Sequence, residues 1–207
     1  MINFSGDDGA DTFTNYGNAV GAIYFSGDFG NDVLVNHGNG LVVGGVRVST
    51  ITFVGQGNDD AFQNNGVDFA SYKFVGDDGA DVFQNNGIGV SNINFAGDDG
   101  VDVFENNGAN VSSINFSGDD GADVFLNDGP HTSGIIVSGG ADADAFLNTG
   151  LGVSGINFSG DDGADVFVNT GIGVSGINFS GDDGSARRLA GGLFPESSTA
   201  RCGDVGC

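Results

Sequence analysis

Residues Ile156–Gly176 read INFSGDDGADVFVNTGIGVSG, and INFSGDDG follows at once at Ile177–Gly184. This is a 21-residue unit that closes on its own beginning. Copies begin at Ile2, Ile23, Ile51, Tyr72, Ile93, Ile114, Ile135, Ile156 and Ile177. Every step is 21 residues except Ile23 to Ile51, which is 28. A fixed period of this length marks a solenoid, in which each repeat buries its apolar face only by stacking on its neighbours.

Positions are numbered 1 to 21 from the Ile. Position 3 is Phe in every copy except Val137, and position 12 is Phe except Leu34. Apolar residues alternate around them as in strands, and Gly-rich turns separate three short strand-like pieces. No piece is long or periodic enough for a helix. The expected fold is all-β, a parallel β-solenoid (β-roll or β-helix) of about eight 21-residue coils. Coils stacked about 4.8 Å apart make positions 3 and 12 into two Phe columns, in a rod roughly 38 Å long. Residues 1–184 form the array, with an insertion near 36–50. Within the insertion, Leu41–Val43 with Val46 and Val48 suggest a small strand pair or a flap.

From Ser185 the period is gone. Residues 185–207 hold three of the five basic residues and both Cys, Cys202 and Cys207. We expect a non-repeat tail there: a disordered segment, a vector-derived or frame-shifted end, or a cap. Its Cys pair without other ligands is a weak zinc signal. The first copy follows no capping segment, which reads as an array cut from a longer one or capped by a partner.

The net charge is −23 at pH 7, and before residue 185 the cations are Arg47 and Lys73. Phosphate binding needs Lys and Arg, so nucleic acid is excluded as a partner. An anionic membrane surface is excluded for the same reason, and no run is long and apolar enough for membrane insertion. Clustered Asp with basic partners, as in solenoid lyases and hydrolases, is missing too. His37 and His131 are lone residues in different copies. No enzyme is expected.

Position 14 is Asn in all eight complete copies: Asn15, Asn36, Asn64, Asn85, Asn106, Asn127, Asn148 and Asn169. It lies two residues after the inward Phe, so it points inward too, and stacked inward amides form a structural ladder. Position 10 is always Asp: Asp11, Asp32, Asp60, Asp81, Asp102, Asp123, Asp144 and Asp165. It lies two residues before the inward Phe and also faces inward. Carboxylates at coil spacing repel by about 1 kcal/mol per pair even in water, and by more when screened from it. Protons, backbone N–H bonds or a hard cation between coils must offset this. Carboxylate and carbonyl oxygens suit Ca²⁺ best among metals. The alternative is an Asp that caps its own Gly turn.

The turns GDDGADVF, GDFGNDVL and GGADADAF resemble the RTX, or haemolysin-type, calcium-binding repeat, in a divergent 21-residue form. The first Gly, the Asp and the large apolar residue match in all eight complete copies. The resemblance implies a β-roll with Ca²⁺ as cofactor, held in the turns between coils. It makes the position-10 Asp the carboxylate ligand, with turn carbonyls supplying the rest. Position 6 adds Asp7, Asp28, Asp77, Asp98, Asp119 and Asp161 to the candidate metal set. The pattern departs from the family in its period and in carrying acid on one edge only.

The expected function is a calcium-binding structural segment of a secreted or cell-surface protein: a spacer, adhesin or matrix element in the extracellular space. Its partners would be calcium and neighbouring solenoid segments or a surface ligand. The alternative is a metal-independent β-solenoid that self-assembles or binds a surface such as glycan or ice. The outward positions 13 and 15 vary from copy to copy, which suits a regular ice lattice poorly.

Overall fold

The computed structural model describes residues 1–181 in full and the backbone of residues 187–190 and 200–202. The chain winds as a β-solenoid of about nine turns, called coils I to IX from their position-1 residues. Each coil contributes a long strand starting near position 1 and a short strand over positions 11 to 14. In coil IV these are Ser71–Asp78 and Val82–Asn85. The long strands stack into a 10-stranded parallel sheet and the short ones into a 9-stranded parallel sheet. Register follows the repeat: Phe95 lies over Phe74 and under Phe116, and Phe104 lies between Phe83 and Phe125. Of the tail, Arg187–Ala190 pairs with Val166–Asn169 and Ala200–Cys202 with Phe179–Gly181. Cys207 and the rest of the tail lie outside the described residues.

Four columns make up the hydrophobic core of the rod. Position 1 and position 3 come from the long strand and position 12 from the short one. Position 19 supplies Phe69, Val90, Val111, Thr132, Val153 and Val174 from the third side. The position-12 rings stack flat: Phe104 to Phe125 is 4.8 Å at 3° and Phe125 to Phe146 is 4.9 Å at 4°. Coils III and IV differ because Phe69 and Tyr72 bring extra rings into the core. There Phe62 meets Tyr72 and Phe83 edge-on, at 87° and 88°.

The third strand-like piece does not form a sheet of its own. Isolated pairs of bonds join its coils instead, such as Gly89 N–H to Ala109 O at 2.9 Å with Ser112 N–H to Val90 O at 3.0 Å. Left-handed residues interrupt the extended backbone here, among them Gly89 (φ 73°), Asn110 (φ 58°) and Gly173 (φ 71°). The insertion forms an antiparallel pair, Val42–Val43 with Val46–Arg47, turned by Gly44 and Gly45. Arg47 ties it down, its Nε lying 3.2 Å from Asp68 Oδ1.

Candidate functional site

Each acidic turn is built from two left-handed residues around position 7. Position 6 has φ of 71° in Asp7, Asp28, Asp77, Asp98 and Asp119 and 62° in Asp161. Position 8 is Gly with φ of 121° to 150°, or Asn58 and Asp142 at 76° and 74°. Asn and Asp tolerate the left-handed region better than other residues with a Cβ. This gives the position-6 Asp a conformational role. The doubled-back turn swings position 10 into the interior.

There the position-10 carboxylates form one buried column. Asp32, Asp60, Asp81, Asp102, Asp123, Asp144 and Asp165 are at most 3% exposed, and Asp11 in the end coil is half-buried. One oxygen of each has a defined partner in the coil before. Asp11 N–H donates to Asp32 Oδ1 at 2.7 Å, Asp81 N–H to Asp102 Oδ1 at 2.8 Å, and Asp144 N–H to Asp165 Oδ1 at 3.0 Å. The same bond joins every intervening pair.

The other oxygen has no hydrogen-bond partner. The Oδ2 atoms of Asp32, Asp60, Asp81, Asp102, Asp123, Asp144 and Asp165 are all buried and orphaned. Each rests against the position-5 glycine of its own coil. A Cβ on Gly55 would lie 1.9 Å from Asp60 Oδ2 and 2.9 Å from Gly76 O; on Gly118 it would lie 2.0 Å from Asp123 Oδ2 and 2.5 Å from Gly139 O. The orphan oxygen and the next coil's carbonyl thus flank the same glycine, and only glycine fits between them. The recurrence of Gly at position 5 is visible in the sequence, but its reason is not.

Burial, the largest cause, pushes these carboxyls up. Asp60, Asp81 and Asp123 reach about 7 and Asp102 and Asp144 about 6, while Asp32 and Asp165 are also raised. The backbone N–H bond opposes the rise, and neighbouring carboxylates add to it.

Position 6 makes a second, more exposed column. Where position 4 is Ser, the hydroxyl donates to it: Ser5 Oγ to Asp28 Oδ2 at 2.8 Å and Ser159 Oγ to Asp161 Oδ1 at 2.8 Å. The Ser5 hydroxyl is the main reason Asp28 is lowered. Val75 and Ala96 stand at position 4 of coils IV and V. There Asp98 is raised, first by burial and then by Asp119 and Asp77. Among the described residues, no three His, Cys, Asp or Glu side chains come together as a metal-binding group. The candidate ligands stand as two columns, and each coil offers one buried carboxylate plus turn carbonyls.

The asparagines on the other edge are the counterexample. Asn15 to Asn169 are all buried, and each Nδ2 from Asn15 to Asn148 donates to the next coil's Asn Oδ1 at 2.7 to 2.8 Å. Gly66 and Gly87 N–H groups bond the same Oδ1 atoms, of Asn64 and Asn85. From Asn15 to Asn148 this edge is closed amide by amide, and Asn169 Nδ2 is left without a partner among the described residues, while half of each carboxylate from Asp32 to Asp165 on the other edge stands open. His37 and His131 are not part of either column; His37 stacks on Tyr16 at 4.9 Å.

No family model matches this chain, and neither does a curated protein or a solved structure.

Proposed function

We propose that the chain is a rigid structural rod of the cell exterior whose aspartate edge is completed by Ca²⁺. The observation that carries this is the row of seven consecutive orphan Oδ2 atoms. A buried polar atom without a partner costs about 1 to 3 kcal/mol, and more when charged. A hard cation taking an oxygen from each carboxylate and the adjoining glycine carbonyls relieves that cost and the repulsion along the column. The donor set fits Ca²⁺: it is all oxygen, anionic, and repeated where the RTX-like motif implies a ligand. The position-10 aspartates would hold the ion, with the position-6 row contributing charge from outside. A weak, repeated site suits extracellular calcium, where modules bind at about 10⁻⁴ to 10⁻³ M.

A second reading is favoured by the bonds from backbone N–H to Oδ1. These make each Asp a cap between coils, and a proton on Oδ2 then neutralises it without metal. The two readings separate in one experiment. The full chain, stripped with chelator at mildly alkaline pH, is titrated with Ca²⁺ and, as control, Mg²⁺. Far-UV circular dichroism, calorimetry and melting temperature are followed. Several Ca²⁺ per chain with a large rise in melting temperature supports the metal ladder. A chain already folded that takes up no Ca²⁺ makes the aspartates turn caps and the rod metal-independent.

A further inference from the structure

Position 16 is Gly in every complete copy, and coils III, IV and V place Asn immediately before it: Asn65–Gly66, Asn86–Gly87 and Asn107–Gly108. Asn–Gly is the dipeptide most prone to cyclise. The Gly nitrogen attacks the Asn Cγ, a C–N bond forms, and ammonia leaves. Water then opens the succinimide at either carbonyl, giving aspartate or isoaspartate. No oxidant or reductant is needed. The reaction requires a Gly nitrogen free to lose its proton, and a side chain free to swing onto it.

Neither is free in this fold. Gly66 N–H donates to Asn64 Oδ1 at 3.0 Å and Gly87 N–H to Asn85 Oδ1 at 3.1 Å. Gly108 N–H donates to Asn85 O, in the preceding coil, at 3.0 Å. In coils IV and V the amide that would leave is pinned as well. Asn86 Nδ2 bonds Asn65 Oδ1 at 3.0 Å and Gln84 Oε1 at 3.2 Å, and Asn107 Nδ2 bonds Asn86 Oδ1 at 3.0 Å and Glu105 Oε1 at 2.9 Å. The neighbouring coil also crowds each glycine: a Cβ on Gly87 would lie 2.0 Å from Gly66 O.

We infer that Asn65, Asn86 and Asn107 are latent modification sites, held unreacted by coil stacking and converted to aspartate or isoaspartate when a coil opens. Conversion is self-propagating in its effect. At Asn86 and Asn107 it replaces an amide donor by a carboxylate and breaks the bond to the preceding coil, and at every site it adds charge to a chain already at −23.

The test is peptide mapping with isoaspartate detection on the full chain, incubated in mildly alkaline buffer with and without denaturing guanidinium. Reaction through an opened coil scales with the population of the open form, so conversion at the three sites is at least about tenfold slower in the folded protein. Equal rates in the two samples overturn the inference. Asn85→Ala removes the Gly87 acceptor, and Asn86 is then expected to react faster than Asn65 in the same molecule; an unchanged ratio also overturns it. If that variant does not fold, native hydrogen exchange decides. Protected Gly66, Gly87 and Gly108 amides support the inference, and freely exchanging ones overturn it.

Discussion

At the scale of the residue, the position-10 aspartate is a carboxylate doing two unlike things with its two oxygens. Oδ1 behaves as a cap, and Oδ2 is desolvated against a glycine. The raised carboxyls bind protons more tightly in the folded chain than in the unfolded one. Folding therefore takes up protons, and stability grows as the pH falls from about 7 toward about 4 and is lost as it rises through the folded values of Asp60, Asp81 and Asp123. The metal-free chain is expected to melt several degrees higher at about pH 5 than at about pH 8, a difference that saturating Ca²⁺ abolishes if the ion replaces the proton. Asp102→Asn probes one rung. Its Oδ1 can keep the Asp81 N–H bond, but its Nδ2 lies against Gly97 in place of the orphan oxygen. The variant should be less stable than the parent by about 1 to 2 kcal/mol at low pH, where the parent is protonated. At high pH the two should converge or cross, because the variant has no buried charge. Denaturation curves at both pH values check this, and a constant difference across pH would contradict it.

At the scale of the coil, the decisive contacts run between coils. Position 5 of coil VI shows it most directly. Gly118→Ala drives a methyl into Asp123 Oδ2 and Gly139 O, at 2.0 and 2.5 Å before any shift. Overpacking ordinarily costs about 1 to 3 kcal/mol; here backbone must also move, so the upper end or beyond is expected, with faster hydrogen exchange at coils VI and VII. The cost is read from denaturant unfolding. Position 12 gives the complementary case. Phe104→Ala removes a ring with no exposure, stacked at 5.0 Å on Phe83 and 4.8 Å on Phe125, and should cost about 3 to 5 kcal/mol.

At the scale of the whole molecule, charge and architecture are in tension. The chain carries a net charge of −23, and most of its acidic residues lie at positions 6, 7 and 10, along one edge, where like charges recur from coil to coil. Added NaCl is expected to raise the melting temperature by screening. Ca²⁺ at matched ionic strength should raise it further if the ladder is a specific site, and equally if screening is all that acts. Because each coil contacts only its neighbours, loss of stability should spread locally rather than all at once. Hydrogen exchange should find coil I, where Phe4 and Phe13 are only half-buried, open before coils IV to VI.

The repeat by itself determined the coil length, the parallel stacking, the inward Phe at positions 3 and 12 and the inward Asn and Asp beside them, because strand alternation and a fixed period leave no other arrangement. It also marked residues 36–50 as an insertion holding a strand pair or a flap, of which the structure has the pair. Which partner each polar atom meets is settled by the stacking of the coils. Asp102 Oδ1 finds the N–H of Asp81, 21 residues away, while Oδ2 finds a glycine methylene. Both outcomes depend on the offset between coils, which no single unit encodes. The apolar pattern makes the third side a strand-like piece, but left-handed residues reduce it to isolated pairs of cross-coil bonds. The sequence makes the position-6 Asp added acid for a metal; the turn gives it a left-handed backbone as well and, in Asp28, Asp119 and Asp161, a Ser partner. Local pattern sets which way a side chain points, but hydrogen-bond partners are set by a neighbour that exists only once the coils have stacked.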